Sequence, residues 1–154
     1  INVAGIESPG LTAAPAIAKH VVDKLVSKRI HLVSDTTYNP IRRSVKRMHK
    51  MDDHDKHTTW RENDRYANIV CVCETVSEGE IIDSIHRNCG ARTVAGVKYR
   101  TRPGSGRCQG SVCQPDVVNI LSRELGIDNT EVDYMRKDSN ILLSRDEVQQ
   151  NEDL

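Results

Sequence analysis

The sequence predicts a mainly α chain, with one amphipathic helix, a polar linker and a small helical domain in that order. Three observations carry this reading. Apolar residues recur at helical spacing from Leu11 to Val26, a mixed-charge stretch follows over 31–65, and a short β-branched run then leads straight into a helix-capping pattern.

The first ten residues read as a loop. From Leu11 the positions Leu11, Ala14, Ile17, Ala18, Val21, Val22, Leu25 and Val26 share one helical face. Thr12 is the expected cap, Pro15 falls in the first turn where amides lack intrahelical acceptors, and Lys24, Lys28 and Arg29 lie at the negative end of the helix dipole. Residues 31–40 read as an extended connection. Residues 41–65 hold eight Lys or Arg against five Asp or Glu and read as a solvated connector with one short helix, headed by Asn39-Pro40.

A second folding unit is expected near Tyr66. Ala67–Cys73 is extended, and Ser77-Glu78-Gly79-Glu80 is a capping box that opens a helix to about Arg87, halted by Cys89-Gly90. A short helix over 93–100, a glycine-rich loop over 103–110 and a helix from Pro115 to Leu125, stopped at Gly126, complete the unit. The tail from Ile127 carries an apolar patch at Ile141, Leu142 and Leu143 and ends in polar residues.

Composition narrows the function. Of 154 residues, 22 are Lys or Arg and 22 are Asp or Glu, so the chain has no net charge to draw it to nucleic acid or anionic lipid. Four Tyr, one Trp and no Phe leave any core to Ile, Val and Leu, and a large core is not expected. No apolar run is long enough for a membrane helix and no secretory signal opens the chain, so a soluble cytoplasmic protein is expected.

Five cysteines in such a chain point to metal or redox chemistry more than to disulfides. Cys71-Val72-Cys73 is a C-x-C pair and Cys108–Cys113 a C-x4-C pair, with Cys89 alone between them. In an extended C-x-C the side chains at i and i+2 point the same way, so both thiolates could reach one iron. Gly104, Gly106 and Gly110 permit close backbone approach, and Cys113 precedes a helix whose first amides can bond sulfur. Four thiolates suit a 2Fe-2S cluster, and the six Lys or Arg against four acids between Cys71 and Cys113 favour holding its negative charge. Zinc also takes four cysteines, although its pairs are commonly spaced C-x2-4-C, and buried thiols or a disulfide are further alternatives. Cys89 reads as a small core residue.

Other clusters read as structural. His49, His54 and His57 sit among Asp52, Asp53 and Asp55, which suits a salt-bridged surface better than a metal site. Trp60 and Tyr66 read as anchors of the connector, because the basic cluster Arg42, Arg43, Lys46 and Arg47 has only Tyr38 beside it as a base-stacking ring. Glu78, Glu80 and Asp83 compensate a helix dipole.

The run from Ile69 to Gly126 resembles the 2Fe-2S domain named for bacterioferritin-associated ferredoxin. The C-x-C, the S-E-G-E helix start, the A-R-T-V-x-G-V-K segment and the R-C-Q-G-x-x-C loop occur in order. The resemblance implies Cys71, Cys73, Cys108 and Cys113 as cluster ligands and an electron-transfer role.

Residues Gly5–Ile17, GIESPGLTAAPAI, are similar to the last flavin-contacting segment of FAD-dependent oxidoreductases of the D-amino-acid-oxidase and glycerol-3-phosphate-dehydrogenase type. This implies flavin contacts at Gly10, Leu11 and Thr12, where a glycine loop entering a helix aims amides at the isoalloxazine. The G-x-G-x-x-G fingerprint of such enzymes is absent, and Gly104-Ser105-Gly106 does not supply it, since position 109 is Gln. The expectation is therefore a C-terminal part of an FAD-dependent dehydrogenase, most like the anaerobic glycerol-3-phosphate type: the last segment of the FAD domain (1–30), a linker (31–65), a 2Fe-2S domain (66–127) and a tail (128–154). Its cluster would relay electrons from flavin to a protein or quinone acceptor. Its expected partners are the FAD and substrate domain and that acceptor, with no nucleic acid and no membrane span. Bound FAD and dehydrogenase activity are not expected of these residues alone, and no catalytic residue is assigned. The alternatives are a zinc-stabilised interaction module and a redox or iron sensor.

Overall fold

A computed structural model describes residues 1–41, 44–144 and 148–149. The described residues are mainly helical, as the periodicity predicts, and fall into two compact units, Ile1–Arg42 and Arg43–Leu154. No described helix is long and apolar enough to cross a membrane.

In the first unit, helix α1 spans Gly10–Val21 and runs on through a π-helical turn at Val22–Val26. Thr12 does not cap it. The N-cap is Pro9, and the Thr12 hydroxyl instead donates to the Pro9 carbonyl at 2.9 Å, because Thr12 already lies within the first turn. None of the residues of α1 is buried, and Leu11 is 93% exposed.

The second unit begins upstream of the Tyr66 start suggested by composition. Met48, in a 3-10 turn at Met48–Lys50, is buried, and helix α2 (Asp53–Glu62) is capped by Asp52, whose carboxylate accepts from Asp55 N–H at 2.8 Å. Trp60 Nε1 donates to the Tyr66 carbonyl at 3.1 Å, and the buried Tyr66 bonds Asp83 through its hydroxyl. Both aromatics thus anchor this segment, as their reading as structural residues anticipates.

Strands β1 (Ile69–Cys71) and β2 (Val76–Ser77) form a two-stranded antiparallel hairpin, with Cys71 opposite Val76. Ser77 ends β2 and caps α3 (Glu78–His86). The Glu80 carboxylate accepts from Ser77 N–H at 2.8 Å, while Ser77 Oγ accepts from Glu80 N–H at 3.3 Å, completing the capping box read in the sequence. Helix α4 (Val94–Thr101) is capped by Thr93, and α5 (Gln114–Leu125) ends at Gly126 in the left-handed conformation that lets its N–H reach the Ser122 carbonyl.

Helices α3, α4 and α5 enclose a small core of Val70, Val76, Ile81, Ile85, Val97, Val117, Leu121 and Val132, supplied by aliphatic side chains as the composition requires. The tail closes one side of it. Val94 and Ala95 donate to the carbonyls of Asp133 and Tyr134, and Ile141 packs on the core while Leu142 and Leu143 stay exposed.

A charged network joins α3 to α5. Arg123 contacts Glu78 at 2.5 Å, Arg65 contacts Glu78 at 3.4 Å, and His86 meets Glu124 at 2.7 Å. The Asn68 amide, then Arg123 and Arg65, hold the Glu78 carboxyl below its ordinary value, and His86, then Arg123, do the same for Glu124; partial burial opposes both. Groups with depressed folded values stabilise the fold above the ordinary glutamate value of 4.5 and lose that contribution as pH falls through the folded values. The arginines are half-exposed, so each pair is worth at most about 1 kcal/mol. The urea midpoint is expected to hold from pH 7 to about 5 and decline below 4.5, less steeply in Glu124→Gln.

Candidate metal centre

Four of the five cysteines are brought near one another, as neighbours in pairs, in the second unit. Cys71 ends β1 and is 2% exposed, and Cys113, the N-cap of α5, is also 2% exposed. Cys73 is exposed and Cys108 half-buried. Cys73 Sγ lies 3.7 Å from Cys108 Sγ, and the Cys113 thiol interacts with both Cys71 and Cys108. All four thiols are free of disulfides.

The C-x-C is not extended throughout, contrary to the alternation expected of it. The strand ends at Cys71, and Cys73 lies in the turn over 72–75, where Thr75 takes φ +52° and its N–H donates to the Val72 carbonyl. Cys71 therefore faces the core while Cys73 faces solvent. A four-residue reversal between two short strands overrides the period-2 rule.

The second pair sits in a loop with several left-handed residues: Arg102, Gly104, Gln109 and Gly110 all have positive φ. That path turns amides inward. The N–H groups of Gly110 and Val112, then the Cys73 thiol, hold the Cys108 thiol below the ordinary thiol value, so it ionises readily. Burial, then neighbouring Cys71, push Cys113 up to about 11, opposed by the Gly104 N–H. A cationic core of iron and sulfide, or any thiophilic metal ion, would remove that penalty by replacing the Cys113 proton.

Gly106 allows the loop to close over Cys73. A Cβ there would lie 2.3 Å from Cys73 Cβ and 3.4 Å from its Sγ. Gly106→Ala is therefore expected to displace Cys73 and cut the iron taken up on reconstitution several-fold while leaving the helical circular dichroism unchanged, since the wedge falls on the exposed turn and not on the core. Glu74, beside Cys73, pairs with Arg102 Nε at 2.6 Å, tying the 72–75 turn to the head of the glycine loop. Nothing in the spacing of the cysteines signals this pair. It could have been sought only as an acid beside one ligand pair and a base ahead of the other.

Two readings of single residues change. Cys89 is exposed, with φ +55°, and is not a core residue, because the chain reverses there after α3. The basic surplus between the pairs is partly committed elsewhere: Arg102 to Glu74, and Arg100 to the carbonyls of Gly96 and Cys89. Arg107, next to Cys108, is exposed. Among the described residues no group of three or more His, Cys, Asp or Glu is gathered as a ready-made site for one metal ion; the thiols come together as neighbours in pairs. Gly10, Leu11 and Thr12 form the first turn of α1 in the other unit.

The donor set fits a 2Fe-2S cluster on structural grounds: four thiols, inward amides at Cys108, and a glycine where a side chain would block the loop. Comparison with known proteins agrees. Residues 69–123 match the BFD-like [2Fe-2S] binding domain. Glycerol 3-phosphate dehydrogenase of Caloramator mitchellensis is 45% identical over 151 residues, which are 97% of this chain and 32% of that protein. One subunit of the anaerobic glycerol-3-phosphate dehydrogenase of Escherichia coli K12 is 31% identical over 70 residues, 45% of this chain and 13% of that subunit. The HcnB subunit of the hydrogen cyanide synthase of Pseudomonas aeruginosa is 41% identical over 62 residues, 40% of this chain and 13% of that subunit. The chain thus spans about a third of the first of these relatives and far less of the others. No solved structure matches the chain.

Proposed function

We propose that this chain is the electron-relay portion of a flavin-dependent dehydrogenase, with Cys71, Cys73, Cys108 and Cys113 holding a 2Fe-2S cluster. The approach of these thiols to one another in pairs, within the segment that matches the BFD-like domain, carries the reading. When bound, the cluster supplies a one-electron couple between a two-electron donor and an acceptor.

The residues divide the work. Cys71 and Cys113 anchor the site to the core, and the amides of Gly110 and Val112 stabilise the thiolate of Cys108. Cys73 brings the site to the surface, where an acceptor protein or a quinone can approach. Gly10, Leu11 and Thr12 serve as flavin contacts in the longer protein: the Gly10 N–H is held by the Glu7 carbonyl at 2.7 Å, and the Leu11 and Thr12 amides lie in the first turn of α1, at the positive end of its dipole. A cytoplasmic setting suits five unpaired thiols. Substrate oxidation is left to the remainder of a protein like the Caloramator relative.

The test is iron, acid-labile sulfide, zinc and the visible spectrum of anaerobically purified protein, before and after dithionite. About two irons and two sulfides per chain, with bleaching on reduction, are expected. Stoichiometric zinc without a visible band would make the site a structural metal centre and end the relay reading.

A further inference from the structure

We propose that the four thiolates bind the cluster crosswise, Cys73 with Cys108 on an outer iron and Cys71 with Cys113 on an inner one, and that iron enters and leaves through the outer half. This rests on the cluster reading above and specifies how this chain's residues share the ligation.

Two thiolates on one tetrahedral metal, at metal–sulfur bonds of about 2.3 Å, have sulfurs about 3.7 Å apart. Cys73 and Cys108 already stand at 3.7 Å, although 35 positions separate them in sequence. Cys71 and Cys113 are the two thiols packed together in the hydrophobic core, each 2% exposed. The sequence-adjacent pairing would put buried Cys71 and exposed Cys73 on one iron, across the turn at 72–75, and half-buried Cys108 with buried Cys113 on the other.

Two further contacts hold the crosswise arrangement. Gly106 packs directly on Cys73, so the loop bearing Cys108 lies over the C-x-C turn. The Glu74–Arg102 ion pair fastens the same two segments at 2.6 Å. Cys73 is the exposed thiol and Cys108 the half-buried one, so solvent, chelators and incoming iron meet this half before they reach Cys71 or Cys113.

The full chain, first shown by iron and sulfide assay to carry a cluster, is treated anaerobically with a ferrous chelator and iodoacetamide, and alkylation is mapped by mass spectrometry against time. Cys73 and Cys108 are expected to label together, severalfold faster than Cys71 and Cys113. Cys71 labelling together with Cys73, ahead of Cys108 and Cys113, would overturn the pairing. A second measurement is independent of the cluster. The apo chain, oxidised by diamide, is expected to give the Cys73–Cys108 disulfide as its main bridge. In that reaction two thiols lose two protons and two electrons while diamide is reduced to its hydrazine. A main Cys71–Cys73 or Cys108–Cys113 bridge would refute the crosswise arrangement. Absence of iron and sulfide with a Cys73–Cys108 bridge would defeat the cluster reading while leaving the thiol geometry intact.

Discussion

Cys108→Ser is expected to lower iron and labile sulfide to a small fraction of the wild-type content, while Cys89→Ser keeps nearly all of both. The contrast follows from where the two thiols sit. Cys108 is 3.7 Å from Cys73 and receives the Gly110 and Val112 amides, so its thiolate is stabilised beside another thiol. A serine hydroxyl ionises far less readily than a thiol and is a poor ligand for the soft iron–sulfur centre. Cys89 lies in an exposed reversal after α3, where its backbone carbonyl accepts from Arg100 at 2.7 Å and its sulfur has no other cysteine among its described contacts. Anaerobic reconstitution followed by metal analysis measures both variants. Equal loss in the two would remove Cys108 from the ligand set or add Cys89 to it.

Gly90→Ala is expected to be the most destabilising single-methyl change in the second unit. A Cβ at Gly90 would stand 1.9 Å from the Ile85 carbonyl oxygen and 2.9 Å from that of Arg87, both backbone atoms that no rotamer change can move aside. The same reversal carries the Ala91 N–H to the Ser84 carbonyl at 2.8 Å, so shifting it also strains the end of α3. Overpacking against backbone at this distance costs about 3 kcal/mol, the upper part of the usual range, and lowers Tm by roughly 10 °C. Gly126→Ala is the comparison. Its site is open but left-handed, at φ +67°, so the cost there is about 1 kcal/mol from backbone conformation alone. Thermal melts that ranked Gly126→Ala as the worse substitution would show that the turn at 89–90 yields easily.

The parts of this fold legible in the sequence are those decided by neighbours within a few residues. The Ser77–Glu80 capping box and the Gly126 stop are local hydrogen-bonding patterns, and each occurs where the residues place it. The involvement of Met48 in the second unit is not legible, and neither is the seating of Tyr66 on Asp83 and on Gly79, whose missing side chain admits the Tyr66 ring. Reading 41–65 by charge alone hides a buried methionine among lysines. The four clustered cysteines are evident from type and spacing. Their partnering is not, since period-2 alternation joins Cys71 to Cys73 while the turn at 72–75 separates them.

The 3.7 Å approach of Cys73 to Cys108 also concerns the unfolded chain. A metal bridging these two sulfurs, 35 positions apart, would tie the polypeptide into a closed loop that contains all of α3 and α4. Such a tie acts as a cross-link. It removes conformations from the denatured ensemble, by about 4 kcal/mol if a metal bridge counts as a disulfide would in the chain-entropy treatment. Loss of iron then relaxes that topological constraint as well as the ligand bonds, and α3 and α4 become the first helices whose amide protons exchange faster with solvent.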